Sequence, residues 1–266
     1  MMAPHGTAFV TGCSSGIGAA FARALARKGH DLVIVARRAD RLRALAAQLE
    51  EETGRSVSIA AADLSEPDDL AGLVRRLTEI EDLALLVNNA GLGPLGDFAD
   101  LAIGDVRRML AVNIGALTEL SLAAVPQLIR NSASLINVAS GVSFAVMKDL
   151  AVYSGTKGYV MQFTRSLALE LEPYGCRVQA LVPGLTRTDL GGAEAINFFD
   201  QFPPEMVMEP EDLVAASLAG LALNETVCIP ALEDARRIAA LIQEMQDIGM
   251  AVSRRAIASR YRPLTA

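Results

Sequence analysis

The chain has 266 residues, 52% of them hydrophobic, and its 31 acidic and 24 basic side chains give a formal net charge of -7. This is ordinary for one large α/β domain, and the acidic balance argues against a nucleic-acid partner. Cys13, Cys176 and Cys228 lack metal-binding spacing, so we expect reduced thiols and a cytoplasmic protein. We recognise no secretory leader and no uninterrupted apolar run near the ~18 residues of a membrane span, so we expect no membrane partner.

Short β-rich runs alternate with helix-periodic segments from the first residues onward. The predicted strands are residues 7–11, 31–36, 56–61, 83–88, 134–139 and 177–182, and the predicted helices include residues 16–28 and 38–52. Several of these strands are apolar without alternation, which indicates a parallel sheet covered by helices on both faces. The sequence therefore predicts an α/β fold, a single doubly wound Rossmann-type domain over residues 1–266, with a C-terminal helical extension at about 231–266.

A glycine-rich loop follows the first predicted strand. Gly12, Gly16 and Gly18 lie between that strand and an alanine-rich helix. Glycines there permit a tight turn and a close backbone approach to a ligand, and a helix amino end attracts a pyrophosphate. The context predicts a dinucleotide site, and a plain tight turn is the alternative.

The end of the second predicted strand bears on which nicotinamide cofactor is used. A site for NAD places an acid there for the adenosine 2′-hydroxyl, whereas this chain has Ala36 followed by Arg37 and Arg38. A guanidinium binds a 2′-phosphate bidentately, so we expect NADP, mostly through Arg37 and with help from Ser14. NAD is the less favoured alternative, in which Arg38 only opens the next helix.

Tyr153 and Lys157 lie four residues apart at the head of another helix-periodic segment. On a helix this spacing puts both side chains on one face. We expect the nearby ammonium to lower the pKa of the Tyr153 phenol and to make it a general acid/base near neutral pH. Alone, such a pair on a surface helix usually has no function.

Six motifs together resemble those of the short-chain dehydrogenase/reductase family, in the family's order from residue 7 to about 190. They are Thr-Gly-x-x-x-Gly-Ile-Gly at 11–18, Asn-Asn-Ala-Gly at 88–91, Asn113 in Val-Asn-Ile-Gly, Ser140 after Asn-Val-Ala, Tyr153 with Lys157, and Pro183-Gly184 with Thr188.

The resemblance implies a catalytic group of Asn113, Ser140, Tyr153 and Lys157. Tyr153 is then the proton donor to a carbonyl oxygen, Ser140 a hydrogen-bond donor to it, and Lys157 the ligand of the nicotinamide ribose. Asn113 is expected to hold a water through its backbone. The implied cofactor residues are Gly12, Ser14, Ser15, Gly16, Ile17, Gly18, Arg37, Arg38, Asp63, Leu64, Asn89, Ala90, Gly91, Tyr153, Lys157, Pro183, Gly184, Thr186 and Thr188, and no metal is expected.

The substrate end is less defined. The family has a substrate lid at about residues 189–210, which here contains Phe198, Phe199, Phe202, Met206 and Met208, and we expect Val142, Phe144 and Met147 on the opposite wall. These side chains suggest a small-molecule carbonyl or alcohol substrate that is apolar or bulky, unless they only pack the lid onto the core. The resulting hypothesis is an NADP(H)-dependent oxidoreductase interconverting a carbonyl and a secondary alcohol. An NAD-linked alcohol dehydrogenase and a non-catalytic dinucleotide sensor are the alternatives.

The resemblance also predicts a homo-oligomer, a dimer or a tetramer. The C-terminal extension stands against the tetramer, because the family builds one tetramer interface from that part of the chain.

Overall fold

The structure, a computed structural model, describes residues 6–93, 96–188 and 199–261. Two compact units are present, residues 1–230 and residues 231–266. The first unit holds the sheet and its helices, and the second holds one long helix. The interpretation of the whole chain as one domain stays a prediction.

Strands and helices alternate through the first unit, as predicted. The strands are β1 (Thr7–Thr11), β2 (Asp31–Ala36), β3 (Val57–Ala61), β4 (Leu83–Asn88), β5 (Ser134–Val138), β6 (Arg177–Leu181) and β7 (Val227–Cys228). The helices are α1 (Gly16–Arg27), α2 (Ala39–Thr53), α3 (Pro67–Thr78), α4 (Ile103–Leu110), α5 (Leu117–Asn131), α6 (Ala151–Leu171) and α7 (Pro210–Ala222). The second unit contains α8 (Arg236–Ala251).

Local chemistry sets several of these helix ends. Pro67 and Pro210 occupy the first position of α3 and α7, where the missing N–H costs no helical hydrogen bond. Two aspartates follow in the first turn of α3 and oppose the positive helix end. Gly54 ends α2 in the left-handed region with φ 65°, where a residue without Cβ is unstrained.

All strand pairs in the described part of the chain are parallel, in the order β3-β2-β1-β4-β5-β6-β7. The predicted doubly wound parallel fold is therefore confirmed. The order reverses between β1 and β4, the place where such sheets bind dinucleotides at the carboxyl ends of their strands. β7 was not predicted, because two residues are too short to give a periodic signal.

Side chains of the strands alternate between two apolar layers. One layer joins Val10, Ile34, Leu85 and their neighbours to α1, α2 and α7. The other joins strand residues such as Phe9 to α3, α5 and the end of α6. Helices on both faces explain why the strands are apolar throughout, since each face of the sheet is buried.

Helices α4 and α5 form one helical stretch from Ile103 to Asn131, in which Ala111–Ala116 between them are π-helical. By length and composition it is apolar enough to cross a membrane, although it is not an uninterrupted apolar run, since Asn113, Thr118 and Glu119 lie within it. Of its most apolar window, 44% is buried inside the protein, and a buried core helix passes the same test.

Candidate active site

The glycine loop between β1 and α1 is shaped by close backbone contacts. Gly12 and Gly16 have positive φ angles of 76° and 54°. A Cβ at Gly12 would lie 2.5 Å from Nδ2 of Asn89, and a Cβ at Gly18 would overlap the carbonyl oxygen of Gly12. Gly12 and Gly16 are therefore needed for conformation, and Gly18 for close packing of α1 against the loop.

Asn89 fastens this loop to the end of β4. Its Nδ2 donates to the carbonyl of Thr11 at 2.8 Å. The Thr11 hydroxyl in turn accepts from the backbone N–H groups of Asn89 and Ala90, both at 3.0 Å. These bonds fix the two strand ends that flank the switch point, so the structure gives Asn89 a local structural role.

The amino end of α1 is available to an anion, because the Ser15 side chain does not cap it. The hydroxyls of Ser14 and Ser15 instead accept from Nη2 of Arg38, at 2.8 and 3.2 Å. Arg38 thus extends from the end of β2 across to the glycine loop, where it puts a positive charge beside the helix end.

Arg37 points to a different group. Its Nη1 lies 3.8 Å from Oδ2 of Asp63, which also accepts from Arg108 of α4 at 3.0 Å. Burial raises the pKa of the Asp63 carboxyl, but hydrogen bonds from Ser65 and Arg108 outweigh it and lower the pKa overall. Of the two arginines, Arg38 rather than Arg37 therefore lies against the glycine loop.

Ser140 and Tyr153 meet above the carboxyl end of β5. Ser140 starts a short 3-10 turn after that strand, and Tyr153 lies in the first turn of α6, 9% exposed. Burial raises the pKa of the Tyr153 phenol, and its hydrogen bond with Ser140 lowers the pKa only in part. The expected lowering by Lys157 is wrong for the chain by itself, because desolvation dominates.

Lys157 is buried under Tyr153. Its Nζ donates to the carbonyl of Val138 at 2.9 Å and lies 5.8 Å from the centroid of the Tyr153 ring. Burial lowers the pKa of the Lys157 ammonium to about 8. A Cβ added to Gly91 would lie 3.5 Å from this Nζ, so the glycine keeps the approach to the ammonium open.

Asn113 lies at the centre of the π-helix and is 1% exposed. Its Oδ1 accepts from the backbone N–H of Leu92 at 2.7 Å. Its Nδ2 donates to the carbonyl of Leu92 at 3.0 Å and to Oγ1 of Thr156 at 3.1 Å. The side chain is fully occupied by the protein, and the π-helix, a feature frequent at functional sites, alters the backbone pattern around it.

The loop after β6 closes the site on its far side. The carbonyl of Pro183 accepts from the N–H of Gly141 at 2.9 Å, which ties the loop to the Ser140 turn. Thr186 is buried and its hydroxyl donates to the carbonyl of Gly184. A Cβ on Gly16 would lie 3.0 Å from the Thr188 side chain, so this loop reaches the glycine loop.

Apolar side chains follow Ser140 in the chain and occur in the predicted lid. Phe144 and Met147, which follow Ser140, are 41% and 56% exposed. In the predicted lid, Phe199 is buried, Met208 packs against the core and Met206 is exposed. Phe198 and residues 189–197 lie outside the described residues.

The structure brings the predicted site residues together along one edge of the sheet. The glycine loop, the β2 and β3 ends, the β4 end, the Ser140 turn, the first turn of α6 and the loop after β6 all lie there. Ile17 and Leu64 contribute to the apolar layers beneath this edge. Among residues 6–93, 96–188 and 199–261, no cluster of His, Cys, Asp or Glu is arranged to hold a metal.

Sequence reasoning missed two contributors. Arg108 binds Asp63 from α4, and nothing in its exposed, charged segment distinguishes it from Arg107. Thr156 accepts a hydrogen bond from Asn113. It stands directly before Lys157, so its position in the Tyr153–Lys157 motif was the available signal.

Comparisons with known proteins agree with this geometry. The family model of short chain dehydrogenases matches residues 6–196. A short-chain dehydrogenase from Sphingobium yanoikuyae, solved in complex with NADPH, is 39% identical and superposes with a TM-score of 0.90, covering 96% of this chain and 100% of that one. The bulky-bulky ketone specific alcohol dehydrogenase from Comamonas testosteroni is 36% identical with a TM-score of 0.88, covering 97% and 99%.

A curated relative, the glycine betaine reductase ATRR of Emericella nidulans, is 34% identical over 228 residues, which are 84% of this chain. The chain spans only 18% of that longer protein. The fold and the family match define a class of dinucleotide-dependent oxidoreductases. The chain belongs to the short-chain dehydrogenase/reductase family.

The lowered pKa of Lys157 predicts a pH dependence of the free energy of unfolding. Its pKa is about 8 in the folded chain against an ordinary 10.5, so between these values the unfolded chain binds more protons. This group's contribution to the free energy of unfolding therefore rises with pH across that interval, by roughly 3 kcal/mol. Urea denaturation of wild type and Lys157→Met at several pH values measures it.

The variant serves as the control because it removes the titrating group and keeps an unbranched chain of similar length. The wild type is expected to gain stability relative to Lys157→Met as the pH rises. A difference that stays constant over the interval would mean that the ammonium is solvated in the folded protein.

Proposed function

We propose that this protein catalyses the NADP(H)-dependent interconversion of a ketone and a secondary alcohol. The observation that carries the proposal is the arrangement of Ser140, Tyr153 and Lys157 at the carboxyl end of β5. A buried phenol there is hydrogen-bonded to a serine, and a buried ammonium lies beneath it. This set supplies a proton donor, a second hydrogen-bond donor and a positive charge at one point.

The chain's own residues divide the work at the reacting oxygen. The raised pKa of Tyr153 keeps the phenol protonated at neutral pH, so it is ready to give its proton to a carbonyl oxygen. Ser140 donates a hydrogen bond where negative charge develops on that oxygen. Lys157 holds a positive charge near the phenol, which stabilises the phenolate left after the transfer.

The residues present fit a dinucleotide. The uncapped amino end of α1 suits the pyrophosphate, and the space that Gly91 leaves over Lys157 suits a ribose hydroxyl. When bound, the cofactor supplies the hydride for the reduction. The NADPH complex of the Sphingobium protein supports NADP as the form used here.

Arg38 is the arginine that we assign to the 2′-phosphate. Its guanidinium lies at the hydroxyls of Ser14 and Ser15, between the β2 end and the glycine loop, whereas Arg37 is engaged with Asp63. This changes the emphasis of the sequence analysis, which favoured Arg37. A guanidinium held by two hydroxyls is pre-oriented for a phosphate.

The substrate that we propose is a ketone with two large apolar substituents. The exposed side chains of Phe144, Met147 and Met206 support an apolar binding surface. The Comamonas protein, which spans the same length, is named for bulky-bulky ketones. Assembly into a homo-oligomer and a cytoplasmic location remain proposals that rest on the family resemblance and on three buried, free cysteines.

Tyr153→Phe tests the assignment of the proton donor. The substitution removes only the hydroxyl, so kcat with NADPH and an aromatic ketone should fall at least ~100-fold. The affinity for NADPH, measured by cofactor fluorescence, should stay within about twofold because the ring remains. A variant that kept more than about a tenth of wild-type kcat would exclude Tyr153 as the acid.

A panel of bulky ketones tests the function as a whole. A wild-type protein that binds NADPH but reduces none of them would be a dinucleotide sensor on the same fold. Turnover that proceeds equally well with NADH would instead favour the NAD-linked alcohol dehydrogenase.

Arg38→Ala tests whether Arg38 binds the 2′-phosphate of NADPH. Loss of one or two charge-assisted hydrogen bonds, each about 1.5–3 kcal/mol, should weaken NADPH binding roughly 10–100-fold at low salt. NADH has only hydroxyls at that position and should bind about as before. Fluorescence titration of both cofactors gives the two affinities.

Arg37→Ala is the matched control, since it removes the same charge one residue earlier. Its loss of NADPH affinity should be several-fold smaller. A larger loss for Arg37→Ala would assign the phosphate to Arg37, and equal losses for NADPH and NADH would mean that neither arginine reads it.

A further inference from the structure

Thr156 occupies an unusual position in the catalytic turn of α6. It lies between Tyr153 and Lys157 in the chain and is 1% exposed. Its hydroxyl donates to the backbone carbonyl of Tyr153 at 2.8 Å and accepts from Nδ2 of Asn113 at 3.1 Å. One side chain thus joins the first turn of α6 to the π-helix between α4 and α5.

Asn113, the partner of Thr156 in this contact, is itself held by hydrogen bonds. The other polar contacts of Asn113 are both to the backbone of Leu92, which follows the end of β4. The π-helix and the segment after β4 therefore form one hydrogen-bonded unit. Thr156 is the point where the catalytic turn is hydrogen-bonded to that unit.

We propose that Thr156 is a positioning residue. Its hydroxyl fixes the position of the turn that holds Tyr153 and Lys157 relative to the π-helix. The expected effect on rate rests on the proposed function. The hydrogen bond between Thr156 and Asn113 does not depend on that function. Both hydrogen bonds of the Thr156 hydroxyl are to the protein, so it has no direct role at the reacting oxygen in the proposed mechanism. It acts through the backbone of Tyr153 and through its chain neighbour Lys157.

The physical reason is the sensitivity of proton transfer to distance. Displacement of a reacting group by about 1 Å can cost on the order of 100-fold in rate. Without the hydroxyl, Nδ2 of Asn113 loses an acceptor in a buried place and the α6 turn loses its lateral bond. The turn is then free to relax, and Tyr153 moves with it.

The same helix provides a closely matched control. Thr164, two turns further along α6, is 0% exposed. Its hydroxyl donates to the carbonyl of Val160 at 2.6 Å and accepts from Nδ2 of Asn137 at 3.0 Å. Burial and helix are the same as at Thr156, and each hydroxyl bonds to a helix carbonyl and to a buried asparagine, the carbonyl being four residues earlier at Thr164 and three at Thr156. Thr164 lies away from the catalytic turn.

The test compares Thr156→Val and Thr164→Val, which replace a hydroxyl by a methyl group at equal volume. Both should lower the melting temperature to a similar extent, because each strands a buried asparagine donor. Only Thr156→Val should lower kcat, by about tenfold or more, with the NADPH dissociation constant changed less than about twofold. Thr156→Ser restores the hydroxyl and should return kcat to within about threefold of wild type.

Two outcomes on rate would overturn the proposal. One is an equal kcat for Thr156→Val and Thr164→Val. The other is a Thr156→Ser variant as slow as Thr156→Val. If the valine variant does not fold, Thr156→Ala compared with Thr156→Ser makes the same distinction, since those two residues differ only by the hydroxyl.

A double-mutant cycle separates this inference from the proposed function. Thr156→Val and Asn113→Ala, alone and together, should be non-additive by about fivefold in the equilibrium constant of unfolding. Additive effects on the free energy of unfolding would show that Thr156 and Asn113 are not coupled. A protein that reduces no ketone would refute the proposed function while the cycle still decides whether Thr156 and Asn113 are coupled.

Discussion

A buried positive charge is the constraint around which the catalytic edge is built. Lys157 is 6% exposed, and its ammonium donates to a backbone carbonyl at the end of β5. Among the described residues no ion pair includes Lys157, and its pKa falls because of burial. A buried ammonium without a carboxylate is costly, and it persists only where the surrounding structure holds it. The Lys157 backbone carbonyl is itself bound by the hydroxyl of Ser143, at 3.0 Å. The strand end, the 3-10 turn and the helix are thus joined at this lysine.

Amides paired with hydroxyls join α6 to the neighbouring elements. Asn113 with Thr156 and Asn137 with Thr164 are two such pairs along α6, each made at 3.0–3.1 Å between buried groups. Asn88 extends the second pair, because its Nδ2 donates to Oδ1 of Asn137 and to Ser121 of α5. Neutral pairs satisfy buried donors without the desolvation cost of ions, and their directionality fixes register between helix and sheet. Among the described residues, Oδ1 of Asn88 is buried without a hydrogen-bond partner.

The sequence predicted those features that depend on local pattern. Six strands were placed within one residue of their ends, since buried parallel strands give continuous apolar runs bounded by turn residues. The motif residues could be proposed because their order and spacing are visible along the chain. The pKa of Tyr153 was predicted in the wrong direction, because spacing reveals a neighbouring charge but not the depth of burial. The division of labour between Arg37 and Arg38 was equally hidden. These adjacent arginines contact different groups, because Arg37 lies near Asp63 and Arg38 binds the serine hydroxyls. No local sequence pattern identifies such tertiary partners.

The residues proposed for proton transfer and those proposed for substrate choice lie on different kinds of structure. Tyr153 and Lys157 belong to a 21-residue helix that is hydrogen-bonded to β5 and to the π-helix. The apolar side chains proposed to meet the substrate lie on short turns, and Phe144, Met147 and Met206 expose much of their surface. Side chains on such turns have few neighbours to disturb, so their size can change with little cost to the core. The turn that holds Tyr153 and Lys157 has less freedom, because Lys157 is bound to the end of β5 and Thr156 to the π-helix. Under the proposed function, substrate choice is therefore decided by residues outside the motifs that identify the family.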